Sequence, residues 1–286
     1  MKDLRDFIKL LRDRGELAVI DTPCDPVLEI TEITDRVSKA GGPALLFTRP
    51  TRHSTPILMH QFGSDQRMCL ALRSASYEEL VARVTKLTNL EAPGSAWDKL
   101  KALARLKDLA ALQPKTVRSG ACQEVVLTGD RIDLDALPIL KCWPLDGGRY
   151  ITLPLVFTRH PDTGARNMGM YRLQVFDKRT TGMHWHLHKD GAEHYRACQG
   201  RMEVAVAIGT DPALTYAATA PLPGGIDEVL FAGFLRGEAV ELVRCRTVDL
   251  QVPAHAEFIL EGYVDLDERR LEGPFGDHTG YYSLAD

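Results

Sequence analysis

The sequence predicts an α+β protein, in which an amino-terminal α/β part precedes a mostly antiparallel sheet or barrel carrying a few helices. Three observations predict it. Apolar residues in the first part switch repeatedly between helical and strand spacing. Composition shifts near Gln113-Pro114-Lys115. Beyond that point, short runs rich in β-branched and aromatic residues dominate, with turn residues between them.

The first part opens with an amphipathic helix over Met1 to Arg12, whose Leu4, Phe7, Ile8 and Leu11 share one face. Leu17 to Ile20 reads as a strand. Asp25-Pro26 sets up a helix start, Ile30, Ile33 and Val37 follow at helical spacing, and Gly41-Gly42 stops it. Ala44 to Phe47 and Pro56 to Met59 read as strands, and Tyr77 to Leu87 and Ala96 to Leu112 as helices. In the second part, strands are expected at Glu124 to Leu127, Tyr150 to Thr158, Tyr171 to Phe176, Met202 to Ile208 and Glu257 to Val264. Helices are expected at Asp211 to Ala217 and Ile226 to Leu235. The expected division is 1–115 and 116–286.

Composition narrows the function classes. The chain has 286 residues, 44% hydrophobic and 26% charged, enough to bury a large core in two domains. A formal net charge of -4, with both signs interspersed, argues against nucleic acid or an anionic membrane as partner. Lys9 and Arg12 interrupt the apolar stretch that a signal peptide needs, and no apolar run approaches the roughly 20 residues that span a bilayer. Six cysteines without a CxxC pair read as free thiols in a reducing compartment, so a cytoplasmic protein is expected.

Four segments carry residue types suited to chemistry. In Met183-His184-Trp185-His186-Leu187-His188-Lys189, period-two alternation places His184, His186 and His188 on one face of an extended segment. Clustered imidazoles suit a metal; the plain alternative is a strand edge showing histidines to solvent. His186-x-His188 with Glu193 and Gly200 also approximates a cupin metal motif. Glu272-Gly273-Pro274-Phe275-Gly276-Asp277 reads as an irregular loop that presents two carboxyls. Held close together they would repel, and one would keep its proton as a general acid; the alternative is a surface turn. In Asn167-Met168-Gly169-Met170-Tyr171-Arg172, Asn167 suits a hard cation or a phosphate and Arg172 a carboxylate. Met168 and Met170 read as core filler. Glu228, near a helix start, suits the helix dipole as well as a ligand role.

Taken in order, these segments resemble the UbiD family from one end of the chain to the other. Asp3-Leu4-Arg5-Asp6-Phe7, Gly41-Gly42-Pro43-Ala44-Leu45-Leu46-Phe47 and Asp133-Leu134-Asp135-Ala136-Leu137-Pro138 carry the resemblance. So do Cys142-Trp143-Pro144 with Gly147-Gly148-Arg149-Tyr150, Phe231-Ala232-Gly233, Leu260-Glu261-Gly262-Tyr263 and Glu272 to Tyr282. The resemblance implies a flavin-reductase-like split β-barrel in the second domain, incomplete here, and a family carboxy-terminal domain absent from this chain. It implies reversible, non-oxidative decarboxylation of an aromatic or α,β-unsaturated acid, with prenylated FMN as cofactor. Arg172, Glu272 and Asp277 match the catalytic trio. Asn167, His188 and Glu228 match the ligands of a divalent metal, manganese or magnesium, with potassium as a further ion. Asn167, Met168, Met170, Tyr171, Arg172, His184, Trp185, His186, His188 and Lys189 match the cofactor-binding stretches. Asp277 resembles the hydroxybenzoate-type members. A prenylated-flavin synthase as cofactor supplier and a homo-oligomer are implied partners. Two other readings stay open: a truncated, non-catalytic flavin-binding or partner-binding subunit, and a cupin-like metalloenzyme.

Overall fold

The computed structural model describes residues 1–88, 110–185, 190–222, 226–277 and 279–285. Most of the expected helix from Ala96 to Leu112 lies outside them.

The first helix, Leu4–Asp13, begins where the Asp3 side chain accepts a hydrogen bond from the Asp6 amide and buries Phe7 and Leu11. Strand β1 (Leu17–Ile20) pairs in parallel with β2 (Ala44–Phe47), and β3 (Ile57–Met59) adds antiparallel to β2. A parallel pair needs a crossover, supplied by the helix Glu29–Lys39. That helix starts later than Asp25-Pro26 suggests. The Asp25 carboxylate accepts from the Val27 amide, and Leu28 takes a positive φ of 70° before the helix begins. Helices Asp65–Ala71 and Tyr77–Thr88 follow.

Strand β4 (Lys115–Val117) leads into three short 3-10 turns, Ala121–Gln123, Gly129–Arg131 and Leu134–Ala136. Glu124 to Leu127 is not a strand: Val125 is 76% exposed there and no neighbouring strand pairs with the segment among the described residues. The expected strand Tyr150 to Thr158 is two, β5 (Arg149–Ile151) and β6 (Leu155–Arg159), separated at Pro154, which has no N–H to give a ladder. β7 (Arg166–Met170), β8 (Leu173–Val175) and β9 (Thr181–Met183) come next. The helix Asp190–Ala197, which the sequence reading did not anticipate, precedes β10 (Arg201–Ile208). Helices Pro212–Ala217 and Glu228–Arg236 are each capped by the aspartate before them. The chain then runs through β11 (Glu241–Arg244), β12 (Gln251–Pro253), β13 (Phe258–Asp265), β14 (Glu272–Gly276) and β15 (Tyr282–Ala285).

The central sheet has the order β13-β10-β6-β7, with every neighbour antiparallel. Its strands are apolar on both faces, and the period of two sorts them into two cores. Leu155, Phe157, Met168, Ala205 and Ala207 join the main core with the helices Pro212–Ala217 and Glu228–Arg236. Val156 and Val206 face the other way, into a smaller core with Tyr171, Leu173 and Val175. Sheets β5-β8-β9, β12-β11-β4 and β14-β15 flank it, and no closed barrel forms among the described residues. A cleft of about 1520 Å³ opens on the side of the smaller core, with Met183, His184, Trp185, Val206, Leu260 and Glu272 in its lining.

Candidate active site

At the cleft, the residue before β8 meets the first residue of β14. Arg172 Nε donates to Glu272 Oε1 at 2.9 Å and Nη2 to Oε2 at 2.8 Å. The Glu272 side chain is 4% exposed and that of Arg172 18%, so the two charges leave water together. A carboxylate is that deeply buried only when paired, and the planar fork of a guanidinium satisfies both its oxygens at once. The guanidinium also lies over the Phe275 ring, 4.6 Å from its centre, and Nη1 reaches Ser283 Oγ at 3.5 Å. His184 Nδ1 stands 3.8 Å from Glu272 Oε2. Arg172, His184 and Glu272 therefore converge.

Glu272 stays in place because the strand behind it is pinned. Gly273 N donates to Gln174 Oε1 at 2.8 Å, Gly147 N to the Pro274 carbonyl at 2.7 Å, and Gly276 N to Asp146 Oδ1 at 2.8 Å. The other Asp146 oxygen accepts from Trp143 N at 2.9 Å. Asp146 and Gln174 are both buried. Only glycine fits at 147, since a Cβ there would lie 2.1 Å from the Gly273 carbonyl oxygen. The segment expected as an irregular loop is thus a strand, with a cis Gly273-Pro274 bond and an irregular register against β15. The Tyr150 ring packs on Phe275 at 4.6 Å, and burial together with the Glu272 charge pushes its phenol up. Burial pushes the Cys142 thiol up to about 11.

A second group lies at β7, the edge of the central sheet. Asn167 is buried and directly opposite Thr158 in the β6–β7 register. Glu228, the first residue of its helix, accepts a hydrogen bond from Met168 N at 3.1 Å. The carboxylate so covers a backbone donor of the edge strand, one residue from Asn167. The Met168 side chain is fully buried in the main core and that of Met170 packs against it, as their reading as core filler expects. Asn167 and Glu228 offer an amide and a carboxylate oxygen, donors that suit a hard cation. Among the described residues no three His, Cys, Asp or Glu side chains converge as a metal cluster. His188 lies outside the described residues, as do His186 and Lys189.

Tyr171 and Trp185 pack at 4.9 Å, Trp185 stacks toward Tyr195 at 6.4 Å, and Gly191 N donates to the Tyr171 hydroxyl at 3.1 Å. Asp277, one residue past β14, is exposed. Its Oδ1 accepts from the Thr279 amide at 2.8 Å and from the Thr279 hydroxyl, closing a turn on itself.

A family model described as the 3-octaprenyl-4-hydroxybenzoate carboxy-lyase Rift-related domain, UbiD, matches residues 115–286, well over half of the chain. The chain belongs to the UbiD family. The family's N-terminal domain model matches residues 8–84 as well. An uncharacterized protein of Archaeoglobus fulgidus is 54% identical over 286 residues, covering 99% of this chain and 58% of that protein. Among solved structures, the UbiD-class enzyme HmfF from Pelotomaculum thermopropionicum in complex with FMN has a TM-score of 0.84 at 29% identity, covering 99% of this chain and 60% of its own. The vanillic acid decarboxylase of Sedimentibacter hydroxybenzoicus in closed form has a TM-score of 0.84 at 27% identity, covering 100% of this chain and 60% of its own. The chain thus spans about three fifths of the length of these relatives.

Sequence reasoning did not single out Asp146, Gln174, Phe275 or Ser283. Asp146 and Gln174 act on backbone donors 130 and 99 residues away, a relation without local signature. The run Asp146-Gly147-Gly148 was the one available hint, since paired glycines mark a close backbone approach.

Proposed function

We propose that this UbiD-family chain serves reversible, non-oxidative decarboxylation of an aromatic or α,β-unsaturated carboxylic acid, with prenylated FMN and a divalent metal. The observation that carries the reading is the buried, two-pronged Arg172–Glu272 pair, whose Glu272 lines a large cleft. HmfF is solved with FMN and, in an evolved dimeric form, with prFMN, and a vanillic acid decarboxylase shares the fold, which supports the cofactor and reaction class.

Losing carbon dioxide leaves an electron pair on carbon, and prenylated FMN, when bound, supplies the electron sink that side chains lack. The chain's own residues do the rest. Arg172 orients the substrate carboxylate through the N–H groups that Glu272 leaves over, its guanidinium already held in place by that pair. Glu272 keeps that guanidinium in register and receives His184 at its outer oxygen. Asp277, on the exposed turn, returns a proton to the carbon that lost its carboxylate. Trp185 and Tyr171 line the cofactor face, with His186, His188 and Lys189 from the stretch that follows. Asn167, His188 and Glu228 would hold manganese or magnesium, which would supply positive charge for the anionic cofactor. Residues 1–115 and 116–286 form the two domains, and the protein assembles as a homo-oligomer supplied with cofactor by a prenylated-flavin synthase. Among the described residues no helix is long and apolar enough to cross a membrane.

The test is to produce this chain together with a prenylated-flavin synthase, measure flavin absorbance, and screen aromatic and acrylic acids for carbon dioxide release. Bound flavin with turnover supports the reading. Bound flavin without turnover on any acid favours the alternative, a partial subunit that binds flavin or a partner chain.

A further inference from the structure

Behind Asn167 runs a buried chain of polar groups that the proposed chemistry does not use. Thr158 and Asn167 are cross-strand partners in β6 and β7, so their side chains rise from the same face of the sheet. Asn167 Nδ2 contacts Thr158 Oγ1 at 3.5 Å, and Thr158 Oγ1 bonds His194 Nδ1 at 2.8 Å. All three residues are buried. His194 stands on the helix Asp190–Ala197, which packs across β6 and β7. Its ring is held on another side by His160, edge to face at 5.3 Å, and His160 Nδ1 itself accepts from the Asp162 and Thr163 amides.

A hydroxyl has one proton and two acceptor positions. Thr158 Oγ1 can accept the Asn167 amide N–H and bond His194 Nδ1 at the same time, so the hydroxyl is held between the two side chains. Anchoring Nδ2 in this way leaves the Asn167 carbonyl oxygen as the group turned from the anchor. The same helix begins directly after the stretch that contains His188 in sequence. One buried contact thus ties together the elements that flank two predicted ligands.

We propose that Thr158 and His194 are positioning residues that orient Asn167 as an oxygen donor to a divalent cation. The proposal rests on the reading of Asn167 as a metal ligand. Partners that fix the orientation of a ligating side chain typically alter metal affinity by about 10–100-fold when removed.

The test is titration of the flavin-loaded chain with Mn2+, followed by electron paramagnetic resonance of the free ion, for wild type, Thr158→Val, Thr158→Ser, His194→Asn, His194→Leu and Asn167→Ala. Thermal unfolding of each variant checks the fold. Thr158→Val, which keeps the shape and removes the hydroxyl, is expected to weaken Mn2+ binding about tenfold or more. Thr158→Ser restores the hydroxyl and is expected to bind as wild type does. His194→Asn, whose side-chain oxygen can stand near the place of Nδ1, covers the case in which Thr158→Val does not fold, and is expected to bind more tightly than a His194→Leu variant. Wild-type affinity in Thr158→Val, or equal affinity in the two His194 variants, with Asn167→Ala weakened, overturns the positioning role and leaves the ligand reading standing. Wild-type affinity in Asn167→Ala overturns the ligand reading, and the positioning role with it.

Discussion

Glu272 and Asp277 stand five residues apart, yet the protein treats the two carboxyl groups in opposite ways. Glu272 is buried, held by both prongs of Arg172, and carried on a strand whose backbone is pinned by Gln174 and Asp146. Asp277 is exposed, and its carboxylate accepts from the amide and the hydroxyl of Thr279 on a local turn. The first is built so that its position cannot drift. The second stands one residue beyond the end of that strand. The sequence suggested that two carboxyls on one loop would act on each other; in the fold each has its own partner. Five residues separate a buried, paired carboxylate from an exposed one.

The largest test of this contrast is removal of the guanidinium. Arg172→Met leaves Glu272 buried without its partner and is expected to lose about 3 kcal/mol of stability in urea unfolding, since breaking a buried pair costs about 3–5 kcal/mol. Adding Glu272→Leu should restore part of that loss, and a double variant no more stable than the single one argues against the pair as the cause. A smaller effect belongs to the anchoring side. The Cys142 thiol is pushed up from its ordinary value of 9.0 to about 11 by burial, so its proton is held more tightly in the folded chain than in the unfolded one. The contribution is complete below pH 9 and is lost as pH rises through about 11, amounting to about 2–3 kcal/mol at most. Comparing wild type with Cys142→Ala by denaturant titration from pH 8 to pH 11 should show the extra slope in wild type alone. The smallest stability change is expected at the exposed carboxyl. Asp277→Asn keeps an acceptor for Thr279 and should alter stability by less than about 0.5 kcal/mol, while abolishing carbon dioxide release with flavin retained. Loss of flavin in that variant would make Asp277 structural and erase the contrast.

Much of the fold was legible where short apolar runs stand between turn residues. β1, β2, β10 and β13 fall within a residue of their expected bounds, because such runs need a covering layer. Val125, Val126 and Leu127 carry the same composition without a partner strand, and their run is exposed coil. β14 was hidden by its own glycines and proline, whose conformations are held by contacts 99 to 130 residues away. Arg172, Glu272, Asn167 and Glu228 entered through the family resemblance, and of these the fold brings Arg172 and Glu272 into contact. Thr158 and His194 were not legible: a buried threonine in a strand and a histidine in a helix look like ordinary residues until the cross-strand register puts them together.

That register has a consequence for how the chain can vary. In β7, Asn167 belongs to one face of the sheet and Met168 to the other, so sliding the strand by a single residue would exchange a polar group for a thioether in each core. Insertions or deletions between β6 and β7 must be absorbed within the turn from His160 to Ala165, whose ends are closed by the His160–Ala165 hydrogen bond. The hairpin is therefore a ruler as well as a support. Drift in its length would be silent in a count of conserved residues, and would still disconnect the site from the sheet that carries it.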